Sequence, residues 1–125
     1  MSTTVLLLSQ ILDKAADTIH TNGLATGTWY EPDALKPPWD CPVCVGGALA
    51  IAAGYAPSYI ETDDPTGTLA EAIDAMINRL QLTPRFGGWM AKTLAIAMWN
   101  DTGRTAEDAV RELRAAAATA REAGR

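Results

Sequence analysis

Histidine is close to absent from this chain: His20 is its only one, and phenylalanine also occurs once. Cysteine occurs twice, as Cys41 and Cys44. A zinc site takes four side-chain ligands. One imidazole, one thiol pair and dispersed carboxylates do not supply that set, so no metal and no other cofactor is expected. Clustered cations are lacking as well. Ten Lys and Arg stand against fifteen Asp and Glu, a formal net charge of -5. The densest basic group, Arg104, Arg111, Arg114 and Arg121, is interleaved with Glu107, Asp108, Glu112 and Glu122. A phosphate-binding surface needs basic residues gathered on one face, so nucleic acid is not an expected partner. No run approaches the ~18 apolar residues of a membrane span. Val5-Leu6-Leu7-Leu8 lacks the basic flank and cleavage site of a signal peptide. The expected protein is cytoplasmic, with no membrane partner and with reduced thiols. Phosphate loops and dinucleotide fingerprints are missing too. Gly46-Gly47 and Gly87-Gly88 are lone pairs that packing and a turn explain.

What the chain does have is a core. Hydrophobic residues make up 48% of its 125 positions, enough for one helical domain over 1–125. After Asp40, the stretch from Cys41 to Gly54 holds no charge. A helix apolar all round is a buried one, so a central helix is expected over about 42–53. Pro42 is read as its first residue, Asp40 and Cys41 as its cap, and Gly54 as its stop.

The other helices follow from apolar spacing. Val5, Leu8, Leu12, Ala15, Ala16 and Ile19 predict a helix from Thr3 to Thr21, ended by Asn22-Gly23. Residues 24–39 form a long loop with Gly27, Pro32, Pro37 and Pro38, and Thr26–Tyr30 suggests an extended segment. Tyr55 to Thr66 reads as a polar loop carrying Glu61, Asp63 and Asp64. Thr68 and Glu71 have capping-box spacing, ahead of the stripe Leu69, Ile73, Met76, Ile77 and Leu80. Residues 89–99 read as the second most buried helix, with Lys92 and Thr93 as a narrow polar strip. Thr105 caps a fifth helix with Ala109, Val110, Leu113, Ala116 and Ala117 inward, and fraying is expected beyond about Ala118. The expected architecture is all-α: a compact bundle of about five helices around the buried central one, with a minor β-hairpin before it.

Three motifs carry a family resemblance. Cys44-Val45-Gly46-Gly47-Ala48-Leu49, Ala95-Ile96-Ala97-Met98-Trp99-Asn100-Asp101 and Gly103-Arg104-Thr105-Ala106-Glu107 resemble those of small actinobacterial and actinophage proteins grouped as a domain of unknown function. The resemblance spans about Leu12 to Leu113 and implies the same order of helices and loops. It implies no activity.

Four constellations bear on function. Cys41-Pro42-Val43-Cys44 has redox spacing, but that motif belongs after a strand, and no strand–helix alternation is present. Cys44 or Cys41 at a helix N-terminus, with His20 as base and Asn100 or Asp101 as orienting group, has the parts of a cysteine hydrolase or acyltransferase. Against this, His20 also suits the C-terminal end of the first helix, Cys44 suits a buried apolar role, and Cys41 reads as a partly exposed thiol. Trp99, Asn100 and Asp101 suit either a turn or a small polar pocket. Finally, Trp29, Tyr30, Trp39, Tyr55, Tyr59, Phe86 and Trp89 lie in loops or at helix ends, as binding anchors or as seals of an Ala-rich core. Sealing is the expected role of Trp39 and Trp89. The preferred reading is a binding or accessory protein, monomer or homodimer, acting through a protein or small-molecule partner. Its expected surface is Trp29, Tyr30, Trp39, Trp99, Asn100 and Asp101.

Overall fold

An apolar residue at every third or fourth position builds the first helix. In the computed structural model, which describes residues 6–61, 67–84 and 87–125, α1 (Leu8–Asn22) buries Leu8, Ile11, Leu12, Ala15, Ala16 and Ile19. It starts later than expected. Leu7 is extended, and its N–H donates to Oε1 of Gln10 at 2.7 Å, which closes the helix start there. Thr3 and Val5 lie outside the described residues. Gly23, at φ 97°, ends α1 as expected.

The central helix is α2 (Val45–Ala52), in which every residue but Ile51 is buried. It touches α1 and, after it in the chain, α3 (Thr68–Arg79) and α4 (Trp89–Asp101). Its start corrects the expected 42–53. The cap is Cys44, not Asp40 or Cys41, and Pro42 lies outside the helix. The backbone at 42–44 is held sideways instead. Val43 donates to Gly23 O at 3.2 Å and accepts from Ala25 N at 3.0 Å. On its other side Glu31 N donates to Pro42 O at 2.9 Å and Cys44 N to Trp29 O at 3.0 Å. These are isolated bridges, parallel to Leu24 and antiparallel to Tyr30, and they replace the expected hairpin. Pro42 has no N–H to extend a ladder.

In α3, Leu69, Ala72, Ile73 and Met76 are buried, and Asp74, Asn78 and Arg79 face out as expected. Gly67, rather than Thr68, is its N-cap, so the Thr68–Glu71 box does not form. The loop after α2 contains a 3₁₀ turn at Pro57–Glu61, where the Tyr55 and Tyr59 rings stack at 4.0 Å. Asp63, Asp64 and Phe86 lie outside the described residues.

The helix α4 departs most from expectation. Trp89, Thr93, Ile96 and Asn100 are its buried residues, while Met90, Leu94 and Met98 are 70, 58 and 63% exposed. It is not the second most buried helix. Its neighbours α2 and α3 cover one side only. Thr93, expected in a polar strip, is buried, and its hydroxyl is satisfied there by donating to Met90 O at 3.1 Å. Lys92 turns to α3, where its Nζ lies 2.7 Å from Asp74.

Last comes α5 (Ala106–Glu122), capped by Thr105 and Asp108, each accepting the other's backbone N–H. It packs antiparallel on α1. Arg114 pairs with Asp13 and Asp17, and Arg121 with Asp13. The helix continues beyond Ala118 to Glu122, with Ala120 buried. Ser9 donates from N and Oγ to Arg125 O at 3.3 and 3.1 Å. Small side chains, Ala15 and Ala16 on α1 and Ala109, Ala116, Ala117 and Ala120 on α5, are buried, and small residues let packed helices lie close. Among the described residues no helix is long and apolar enough to cross a membrane.

Candidate functional site

Asn100 joins three parts of the chain that lie far apart in sequence. Its side chain is fully buried at the C-terminal end of α4. Oδ1 accepts the N–H of Val45, the first residue of α2, at 2.9 Å. Nδ2 donates to Ala25 O and to Asp101 Oδ1, both at 2.9 Å. The same Asp101 oxygen accepts Gly27 N–H at 2.9 Å. A first-turn N–H has no partner inside its own helix, and here another helix supplies one. The 24–30 loop, the start of α2 and the end of α4 are thereby bound into one unit.

Cys44 sits inside this unit. Its Sγ accepts Gly47 N–H at 3.2 Å, and the residue is 2% exposed. Burial pushes its thiol up to about 11; the N–H groups of Gly47 and Gly46 pull the other way, and the Asp101 carboxylate adds to the rise. Cys41, expected to be partly exposed, is fully buried, with its Sγ 3.4 Å from Pro37 O. Both thiols are free.

Over the unit opens a cleft of about 320 Å³, lined by Gly27, Thr28, Trp29, Cys44, Leu94, Ala97 and Asp101. Trp29 is half-buried and packs on the core. Tyr30 does the same beside it and bridges to Val43 without lining the cleft. The remaining expected residues are elsewhere. His20 is exposed in the last turn of α1 and is not part of the lining. Trp39 is 59% exposed, which corrects its expected sealing role; its carbonyl accepts from Asn22 Nδ2 at 2.9 Å. Trp89 does seal the core, at 9% exposure. Trp99 lines a separate cleft with Arg79, Arg111 and Glu112, with the Arg104 guanidinium 4.7 Å above its ring. Among the described residues no group of three or more His, Cys, Asp or Glu side chains gathers to hold a metal ion.

Sequence reasoning missed Leu94 and Ala97 at the cleft, and the exposure of Met90 and Met98 beside it. Residues 90, 94 and 98 repeat every four positions, a row separate from the buried one at 89, 93, 96 and 100, but on a helix apolar on nearly every side nothing local says which row is covered.

No curated protein and no solved structure matches the chain. A family of unknown function, DUF6197, matches residues 3–119, and the chain belongs to that family.

Proposed function

We propose that this is a small cytoplasmic binding or accessory protein that acts through a protein partner docked on α4. Its setting is that of the actinobacterial and actinophage proteins its motifs resemble. The observation that carries the reading is the row Met90, Leu94 and Met98, 70, 58 and 63% exposed on one face of α4. Single exposed apolar residues are ordinary; contiguous ones mark contact surfaces. Methionine suits such a surface because its flexible, polarisable side chain adapts to what it meets. Leu94 also lines the cleft beside Trp29, so a partner on the ridge has a half-buried indole and a recess for one of its own side chains, or for a small ligand. A photo-crosslinking residue at position 90 or 98 is expected to trap a defined adduct in cells, and one at Ala118, exposed on α5, to trap none. Equal labelling from both places overturns the reading.

The cysteine hydrolase or acyltransferase reading has less support. A nucleophilic thiol needs its pKa lowered toward neutrality, whereas burial moves Cys44 up, and His20 stands outside the cleft lining. Alkylation of the native protein, followed by mass spectrometry, is expected to be slow at both cysteines near neutral pH and unchanged by His20→Ala. Fast modification of Cys44 that His20→Ala slows would bring the enzyme reading forward.

A further inference from the structure

The cleft beside Trp99 gathers positive charge that the sequence disperses. Arg79 reaches it from the end of α3, Trp99 from the end of α4, Arg104 from the turn that follows, and Arg111 and Glu112 from α5. Its volume is about 340 Å³. Three guanidiniums line it with one carboxylate, on a chain whose formal net charge is -5. Glu112 lies 2.7 Å from Arg79 Nε and 3.7 Å from Arg111, and Arg111 also holds Asp108 at 2.9 Å. Among the described residues Arg104 has no carboxylate partner, and its guanidinium sits over the Trp99 ring. Even with Asp108 counted, one positive charge is left over. A guanidinium carries five N–H donors, so these pairings do not exhaust Arg79 or Arg111.

A second observation points to the same place. At the end of α3, Gln81 N–H donates to Asn78 O at 3.2 Å and Leu82 N–H to Ile77 O at 3.0 Å. That closure puts its first residue past the cap in the left-handed region, where glycine is usual. Here the residue is Gln81, at φ 53°, the only non-glycine at positive φ among the described residues. Glycine would make the turn at lower cost. What glutamine adds is a side-chain amide, and Gln81 lines both this cleft and a neighbouring one of about 370 Å³. Arg79 is shared in the same way. Beyond them the second cleft has apolar walls from Leu8, Ala75, Ala116 and Ala120.

We infer that the paired clefts bind a small phosphate monoester with an apolar organic part. The three terminal oxygens of a phosphate accept from guanidiniums that converge from different elements, whereas a carboxylate matches one guanidinium fork. The Gln81 amide donates to the same group. The organic part extends past Arg79 and Gln81 onto the apolar walls, where its burial adds affinity. None of Met90, Leu94 and Met98 lines either cleft, so this site is independent of the docking surface proposed above.

Titration of the full chain with hexyl phosphate, inorganic phosphate and hexanoate at constant ionic strength tests this. The readout is NMR of the arginine Nε–H and tryptophan indole N–H signals. Hexyl phosphate is expected to shift the signals of Arg79, Arg104, Arg111 and Trp99 saturably. It should bind about tenfold or more tighter than inorganic phosphate, since several of its methylenes become buried, and tighter than hexanoate. Arg104→Gln is expected to weaken it about tenfold or more, the loss of a charged hydrogen bond, with unchanged circular dichroism. Gln81→Gly is expected to raise the melting temperature and yet weaken binding, a pair of changes that a purely structural glutamine would not give. Absence of a saturable shift overturns the inference. So does hexanoate or inorganic phosphate binding as tightly as hexyl phosphate, an Arg104→Gln variant that binds like the wild type, or a Gln81→Gly variant that does.

Discussion

Two residues show how little room the start of α2 leaves. A Cβ on Gly47 would lie 2.6 Å from both the Trp29 carbonyl and Val43 Cγ2. The carbonyl is backbone, and it is already bonded to Cys44 N–H. Gly47→Ala is therefore expected to cost about 1–3 kcal/mol, measured by chemical denaturation, although alanine is the better helix former. Asn100 is the other case. Asn100→Ala leaves Val45 N–H and Ala25 C=O without the side-chain partner each now has. Buried groups orphaned in this way cost ~1–3 kcal/mol each, and about 2–5 kcal/mol is expected in the same assay. Asn100→Asp does not rescue, because its carboxylate cannot donate to Ala25 O and faces the Asp101 carboxylate. The types of these residues were legible in the sequence, and their partners were not. Nothing local says that Asn100 reaches a helix 55 positions earlier.

At the scale of elements, the α1–α5 pair carries the clearest electrostatic consequence. Burial alone would raise the Asp13 carboxyl, but the Arg121 and Arg114 guanidiniums outweigh it and hold it below its ordinary value. A depressed carboxyl pKa stabilises the fold fully above the ordinary carboxylate range near pH 4. That contribution is lost as pH falls through the lower, folded-state value. Asp13→Asn should thus cost about 1 kcal/mol or less near neutral pH, the scale of partly exposed pairs. The gap to the wild type should close at lower pH. Urea titrations at neutral pH and in acid read the difference. The helices themselves were largely legible, since apolar spacing and caps are local. Their starts were less so. The expected starts at Thr3 and Pro42 are superseded by bonds that form elsewhere, whereas α3 does begin at Thr68 as expected, with Gly67 rather than Thr68 as its cap.

For the whole molecule, α4 decides what is core and what is surface. Ile96 is 1% exposed and Leu94 is 58% exposed, although they are two positions apart on one helix. Ile96→Ala is expected to cost about 2–5 kcal/mol. Leu94→Asp should leave the stability of the monomer within about 0.5 kcal/mol. Thermal melts of dilute protein distinguish the two. A reversed order would mean that the exposed face of α4 is itself part of the fold.

The sequence by itself determined the all-α class, the buried central helix and most helix ends, because periodicity, proline and glycine act over a few residues. It also named three separated stretches, the 24–40 loop, the N-terminal end of the central helix and the Trp99–Asp101 turn, as candidates for one surface. Only the tertiary structure decided which side of α4 meets α2 and α3, since a helix apolar on every side carries no mark of where its neighbours stop. It also decided that Cys44 caps a helix, that Asn100 is spent on backbone, and that Trp39 and Trp99 face away from the cleft. Those outcomes depend on contacts between residues tens of positions apart, and such contacts leave no periodic trace in the chain.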